Sequence, residues 1–304
     1  MSINEIARKP VRWPAPDAVL ALLKPITWFP PMWAYACGAV SSGAMTTDRW
    51  PYLAIGVLLA GPLLCGTSQA VNDWFDRHVD AINEPDRVIP SGRMPGYWGL
   101  WIAIANSVLS LVVAWFLGPW VFAAASVGLA LAWAYSAPPF RLKKNGWFGN
   151  RAVGFSYETL PWITAAAAAL GTLPDTRMML VALLYGIGAH GIMTINDFKS
   201  MEGDRQMGVA SLPVQLGASL AAKVTGLVML GSQVLVAALL WQGGATVSAL
   251  LIAALVAAQL VAIRRFIADP VRYAVWYSTV GVGLYVTGMM IAAFALRDGL
   301  VPIS

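Results

Sequence analysis

Eight of the 15 acidic residues in this 304-residue chain fall in two short stretches. Asp73, Asp76, Asp80, Glu84 and Asp86 form the first, and Asp197, Glu202 and Asp204 the second. Both stretches open with Asn-Asp closing an apolar run, Asn72-Asp73 and Asn196-Asp197, at an offset of 124 residues that looks like a weak internal repeat. Continued as a helix, the first stretch places Asp73, Asp76 and Asp80 within about 60° of one another, with Asn72 beside them. Three carboxylates on one helix face repel each other at a low-dielectric boundary and call for a cation, and hard oxygen ligands at this spacing suit Mg²⁺. In the second stretch a continuous helix puts Asp197 and Asp204 on one face, whereas a break at Gly203 turns Glu202 inward instead. One DxxD alone is weak. Two such clusters facing each other with Arg and Lys interleaved suit a metal-bridged diphosphate, in which carboxylates hold the ions and basic side chains take the remaining charge. As the C–O bond of an allylic diphosphate breaks, negative charge grows on the leaving group, where the metal stabilises it. An apolar interior would hold an isoprenoid tail, and aromatic faces would stabilise the allylic cation.

The elements that must position these residues are membrane helices. The chain is 58% apolar and 12% charged, with mean hydropathy +0.65, against roughly 45–50% and about 25% in soluble domains. That excludes an ordinary soluble enzyme and a disordered chain, and two cysteines inside apolar runs, Cys37 and Cys65, exclude a disulfide scaffold. Apolar runs near 26–44, 52–72, 97–117, 119–136, 152–170, 178–196, 218–241, 245–263 and 273–296 predict an all-α polytopic membrane protein with nine transmembrane helices. Gly118-Pro119 and Gly243-Gly244 predict tight turns between neighbouring spans, and 17–24 reads as a short interfacial helix. The N-terminus shows no cleavable signal peptide. Of the 20 Lys and Arg residues, 17 fall on one side of the nine-span arrangement, leaving Arg49, Arg177 and Arg297 on the other. Basic residues accumulate on the cytoplasmic side, so the N-terminus and both acidic stretches are expected there. The layout is then a cytoplasmic tail over 1–25, a transmembrane domain over 26–296 and a short non-cytoplasmic tail over 297–304. The net charge of +5 reflects this topology and anionic lipid, not nucleic acid.

Four stretches carry a family resemblance. NDWFDRHVD at 72–80, followed by AINEPDRVIPSGR, resembles the UbiA superfamily of intramembrane prenyltransferases, and within it the chlorophyll/bacteriochlorophyll synthase branch. KPITWFPPMWAYACGAVSSG at 24–43, YSAPPFRLKKNG at 135–146 and NDFKSMEGDRQMGVASLPVQLG at 196–217 are similar to that branch in the same order, so nearly the whole chain is covered. SGRMPGYWGL reads more like the bacteriochlorophyll enzymes. The resemblance implies a UbiA-type bundle that esterifies the propionate of (bacterio)chlorophyllide with geranylgeranyl or phytyl diphosphate. It implies that Asn72, Asp76 and Asp80 form one metal and diphosphate motif, and Asp197 and Asp204 the other. The family's second motif often has aspartates four apart. Met201 occupies that position here, leaving Glu202 or Asp204 as the partner ligand. Arg77, Arg141, Lys143 and Lys199 match basic positions near the diphosphate. Implied partners are the isoprenoid diphosphate, the pigment, the lipid bilayer and other membrane proteins of pigment synthesis, in the inner or photosynthetic intracytoplasmic membrane. A carboxylate acceptor is already ionised near neutral pH and needs no general base, which suits the lack of an evident catalytic His or Cys.

Four further residues are candidates for the acceptor pocket. Glu158 lies within the fifth span, where an ionisable side chain is either functional or held protonated near Tyr157. His190, in the sixth span, is either a ligand to the pigment's magnesium or a packed neutral imidazole. Phe29, with Trp28 and Trp33, either shapes a flat pocket or belongs to the interfacial aromatic belt. Tyr135 abuts the basic RLKK run. His78 is expected to face solvent, and the cysteines to pack. Within the superfamily the alternative acceptors are a quinone precursor or haem. A secondary transporter is the competing class, disfavoured because the acids gather at one face instead of the midplane.

Overall fold

The computed structural model describes residues 13–44 and 49–299. Arg8, Lys9 and Arg12, and the end of the expected C-terminal tail, lie outside the described residues. Prolines set many of the helix starts, as suits a residue whose missing N–H costs nothing in the first turn. They open α1 (Pro16–Leu23), α2 (Phe29–Ser41), α3 (Trp50–Leu58), α6 (Pro119–Ser136), α8 (Leu160–Leu170) and α14 (Pro270–Arg297). Where a proline falls farther in, the ladder rearranges instead of stopping. Pro62 sits inside a π-helical segment, Leu59–Cys65, that joins α3 to α4 (Gly66–Asn83). A second π segment, Phe155–Thr159, precedes Pro161 and joins α7 (Gly146–Gly154) to α8. The remaining helices are α5 (Trp98–Leu117), α9 (Thr176–Asp197), α10 (Met201–Gln206), α11 (Leu212–Leu216), α12 (Ala218–Gln242) and α13 (Thr246–Ala268). Among the described residues, one isolated bridge between Asn145 and Ala210 is the sole β pairing.

Seven helices are long and apolar enough to cross a membrane: Trp50–Asn83, Trp98–Leu117, Pro119–Ser136, Thr176–Asp197, Ala218–Gln242, Thr246–Ala268 and Pro270–Arg297. Two of the nine expected spans do not meet that description. The first is a helix of 13 residues, α2, after a short 3₁₀ turn. The other, running through α7 and α8, is diluted by Asn150, Arg151, Glu158 and Thr159. Both pack inside the bundle, α2 against α8 and α14, and α7 against α9, so protein instead of lipid faces much of their surface. Gly38 shows how close α2 and α8 come: a Cβ there would collide with the backbone carbonyl of Trp162. α9 is the buried axis, with 67% of its apolar window inside the protein, against 17% for α5. Gln233 Nε2 donates to Gln259 Oε1 at 2.6 Å, and Gln259 Nε2 to the Gly281 carbonyl at 2.5 Å, tying α12, α13 and α14 together. Such interhelical bonds satisfy polar groups that lipid cannot.

The expected turns and the amphipathic entry helix are present. Gly118 takes φ 118° and Gly244 φ 83°, and α1 buries Ala18 and Leu22 against α4 and the loop after it. Cys37 and Cys65 are free and buried.

Candidate functional site

α4 continues unbroken past Asp73, Asp76 and Asp80 and ends at Asn83, so these three carboxylates take the positions that helical geometry assigns. Asp73 and Asp80 share a flank. Arg87, in the following loop, places Nη1 3.0 Å from Asp80 Oδ2 and 3.5 Å from Asp73 Oδ1. Its Nε and Nη2 donate to Glu84 at 2.6 and 2.8 Å. Lys24, at the end of α1, donates from Nζ to Asp73 Oδ1 at 2.6 Å. Asp73 is 3% exposed between two cations, and it fastens α1 and the Arg87 loop to α4. Asp76 occupies the neighbouring flank. The Lys143 ammonium donates to its Oδ2, and Arg141 Nη2 stands 3.6 Å from its Oδ1. Burial pushes the Lys143 pKa down, against the opposing pull of Asp76. Arg141 Nε is buried with no hydrogen-bond partner. Lys24 (φ 48°) and Arg141 (φ 41°) are the two non-glycine residues at positive φ among the described residues. That conformation costs about 1–2 kcal/mol, and here both instances bring a cation to the acidic helix.

The second stretch breaks at 198–200, between α9 and α10, and not at Gly203. Asp204 N donates to the Ser200 carbonyl at 2.8 Å, and Ser200 Oγ to Asp204 Oδ2 at 3.0 Å, so α10 starts before Gly203 and runs through it. Asp204 is buried, while Glu202 points outward and accepts from Arg205 and Gln206 at 3.0 Å each. Of the two alternatives, Asp204 is the one turned inward. Asp197, at the end of α9, accepts from Asn150 Nδ2 at 3.1 Å, and the same amide donates to Thr194 Oγ1 at 3.2 Å.

The end of α4 and the residue after α10 touch at one point. Asn83 Nδ2 lies 3.1 Å from Met207 Sδ. The basic loop before α7 is stitched to the chain after α10 by Gly146 N to Ala210 O and Ala210 N to Lys144 O, both 2.8 Å. Tyr135, at the end of α6, lies within electrostatic range of Asp197, Asp76 and Asp204. Beside it, Asn72 Nδ2 donates to Ser136 Oγ at 3.2 Å. Tyr135 also heads a groove of about 700 Å³ whose walls are mostly apolar side chains of α2, α4, α6, α8 and both π segments. π segments recur at functional sites because they shift the helix face that follows, and here Tyr157 and Cys65 line the groove.

Other candidates stand apart from this cluster. Arg77 turns back on its own helix, donating to the Trp74 carbonyl at 2.6 Å with its guanidinium 4.1 Å from the Trp74 ring centroid. Lys199 is exposed in the turn after α9. Phe29 is half exposed and stacks on Trp33 with centroids 5.5 Å apart. Glu158 is 3% exposed in its π segment, with Oε2 lacking a hydrogen bond. His190 stacks on Trp147 at 5.5 Å with neither ring nitrogen bonded. Neither Glu158 nor His190 lines the groove. Sequence reasoning missed Arg87 and Lys24 as partners of the acids, and Asn150 as the partner of Asp197. Arg87 carried a signal, its place in the INEPDR run; a lone amide such as Asn150 carried none.

Among the described residues, no three His, Cys, Asp or Glu side chains close on a common point as a metal cage. The donor set nonetheless fits Mg²⁺, which binds through one or two carboxylates and completes its shell with phosphate oxygens and water. Asp76, Asp80, Asp197 and Asp204 supply hard oxygens, and the unpartnered Arg141 Nε supplies an orphan donor for an anion beside them.

A helical bundle with an acidic and basic mouth over an apolar groove is the frame of an intramembrane prenyltransferase. The model of the UbiA prenyltransferase family matches residues 27–279, and the chain belongs to that family; it is an integral membrane prenyltransferase. The chain is 55% identical over 297 residues to the bacteriochlorophyll synthase 33 kDa chain of Cereibacter sphaeroides, covering 98% of each. It is 39% identical to the chloroplastic chlorophyll synthase of Arabidopsis thaliana, covering 91% of this chain and 73% of the plant one. A structure of a UbiA homolog from Archaeoglobus fulgidus bound to GPP and Mg²⁺ shares the fold at TM-score 0.65 and 18% identity, covering 92% of this chain and 99% of the other.

Proposed function

We propose that this enzyme joins a long isoprenoid from geranylgeranyl or phytyl diphosphate to the propionate carboxylate of (bacterio)chlorophyllide, releasing diphosphate. In the reaction a carboxylate oxygen bonds to the allylic carbon as the C–O bond to diphosphate breaks. Asn72, Asp76, Asp80, Asp197 and Asp204 would hold Mg²⁺, which supplies positive charge to the leaving diphosphate. Lys143 and Arg141 bind the phosphate oxygens that Mg²⁺ leaves free, exchanging their contacts with Asp76 for contacts with substrate. Arg87 and Lys24 hold α4 and its neighbouring loop in place. Tyr135 borders both the charged mouth and the groove, and its π face is suited to stabilise the developing allylic cation. The groove takes the tail and keeps water from the reacting carbon. No side chain need remove a proton, because the acceptor carboxylate is already ionised.

The reading extends to topology. Nine spans, counting α2 and the α7–α8 run, put 17 of the 20 basic residues on the acidic face, which supports a cytoplasmic N-terminus, a cytoplasmic active site and the 1–25, 26–296 and 297–304 layout. The membrane is the inner or photosynthetic intracytoplasmic membrane, where other pigment-synthesis proteins are candidate neighbours.

The observation that carries this reading is the place of Tyr135, which lines the apolar groove and lies within electrostatic range of aspartates from both stretches. The test supplies purified protein and Mg²⁺ with defined prenyl diphosphates and, in parallel, chlorophyllide, bacteriochlorophyllide, 4-hydroxybenzoate or haem, with mass spectrometry of the products. Esterified pigment is expected. Product only from 4-hydroxybenzoate or haem overturns the acceptor, and no diphosphate release with any acceptor overturns the enzyme.

A further inference from the structure

A second recess, of about 870 Å³, lies toward the opposite face of the bundle, bordered by Ala39, Ala44, Arg49, Tyr52, Leu117 and Ala169 among others. That end is marked by Arg49 Nη1 donating to the Ala169 carbonyl at 2.5 Å and Trp120 Nε1 to Gly171 O at 3.2 Å. Among the described residues, Tyr35 alone lines both this recess and the groove below Tyr135. It is 5% exposed, in a cluster with Ala39, Ala60 and Ala165 and, partly buried, Leu53 and Val57. The hydroxyl end of its ring packs against Gly56, where any Cβ would collide with it. The ring is thus wedged where the two spaces adjoin.

From this geometry we propose that Tyr35 is the floor of the tail groove and sets the longest isoprenoid the enzyme accepts, an inference that rests on the prenyl transfer proposed above. The dimensions agree. Tyr135 and Val121 line the groove fourteen residues apart on α6, about 21 Å along the axis at 1.5 Å per residue. An extended isoprene unit advances four chain carbons, about 5 Å with bonds of about 1.5 Å, so four units need about 20 Å. A tail of four units matches the length of the groove between Tyr135 and Val121, and a tail of six exceeds it by about 10 Å. Trimming Tyr35 joins the groove to the far recess and lengthens the space in line.

The test compares farnesyl, geranylgeranyl and hexaprenyl diphosphate, of three, four and six units. Binding is titrated by tryptophan fluorescence without acceptor, and kcat/KM is measured with it. The readout is the hexaprenyl to geranylgeranyl ratio within each variant, which does not depend on the amount of active protein. The wild type is expected to disfavour hexaprenyl by about tenfold or more, equivalent to about 1.4 kcal/mol, and Tyr35→Phe, which keeps the ring, to do the same. Tyr35→Ala should raise the ratio by about tenfold. Tyr35→Leu, which keeps the core filled, should raise it by a smaller factor and serves if the alanine variant does not fold. A wild type indifferent to length overturns the inference, because the tail then leaves sideways into lipid. An unchanged ratio in the alanine and leucine variants overturns it as well. Binding by none of the donors removes the prenyl-transfer reading itself, whereas donor binding without pigment esterification removes only the proposed acceptor and leaves the length test intact.

Discussion

Asp73 and Asp76 stand three residues apart on one helix, yet the structure gives them different work, and replacing each by asparagine separates that work. Asp73 is 3% exposed and bonded to Lys24 at 2.6 Å, with Arg87 at 3.5 Å. Removing one partner of a buried ion pair costs about 3–5 kcal/mol. Lys24 and Arg87 keep 25% and 28% of their side-chain surface in solvent, which relieves part of the stranded charge, so Asp73→Asn should cost about 2–3 kcal/mol. For a chain of this size, each kcal/mol lowers Tm by about 2–4 °C, so a drop of about 4–12 °C is expected in detergent. Turnover well below that Tm should stay within about tenfold of wild type, a change of under 1.4 kcal/mol in the barrier. Asp76, 19% exposed and facing Lys143 and Arg141, should behave oppositely. On the proposed function, Asp76→Asn removes a charge that would hold metal and diphosphate in the transition state, an interaction whose loss typically costs about 10²–10³ in kcat, with a smaller change in Tm. Thermal unfolding and diphosphate release on the same preparations supply both readings. The reasoning fails if Asp73→Asn melts like wild type but loses turnover, or if Asp76→Asn keeps most of its activity.

Asp80→Ala should abolish turnover while the protein remains in the membrane, checked by activity and membrane fractionation; retained activity counts against a role for Asp80 in holding metal. Chelation with EDTA should stop diphosphate release and added Mg²⁺ should restore it, with little change in Tm, because ion pairs and not a metal cage hold the apo site together. Lys143→Met would remove the charge-assisted contact to phosphate that the proposed function gives Lys143, worth about 1.5–3 kcal/mol, and should lower kcat/KM for the donor by about 10- to 100-fold; an unaltered donor dependence places Lys143 outside the diphosphate site. Gly38→Ala drives a methyl into the Trp162 backbone carbonyl, an overpacking that costs about 1–3 kcal/mol or more, and should lower Tm without changing donor-length preference.

Membrane character, the helical class, the two acidic stretches and the family were all legible in the amino-acid order. The reason is that lipid enforces long apolar runs, that helical periodicity alone fixes which residues of a stretch share a face, and that INEPDR and its neighbouring motifs are local strings. The same features picked out Asp76 and Lys143, which pair in space, and Tyr135, which lines the groove. Seven of the nine expected spans fall on helices long and apolar enough to cross a membrane, whereas α2 and the α7–α8 run do not meet that description and pack against other helices.

What only the tertiary structure decided concerns partners far apart in the chain. A charge read from sequence has a sign but no direction: Arg77 and Arg87 look alike as letters, yet Arg77 folds onto Trp74 while Arg87 spans Asp73 and Asp80. That Asp204 and not Glu202 turns inward follows from the turn at 198–200, after which Ser200 bonds Asp204 and α10 runs through Gly203. Tyr35 meets Gly56 across a helix contact that no local pattern encodes. Spacing along one helix is set by covalent geometry, whereas meetings between helices are set by how the whole bundle packs.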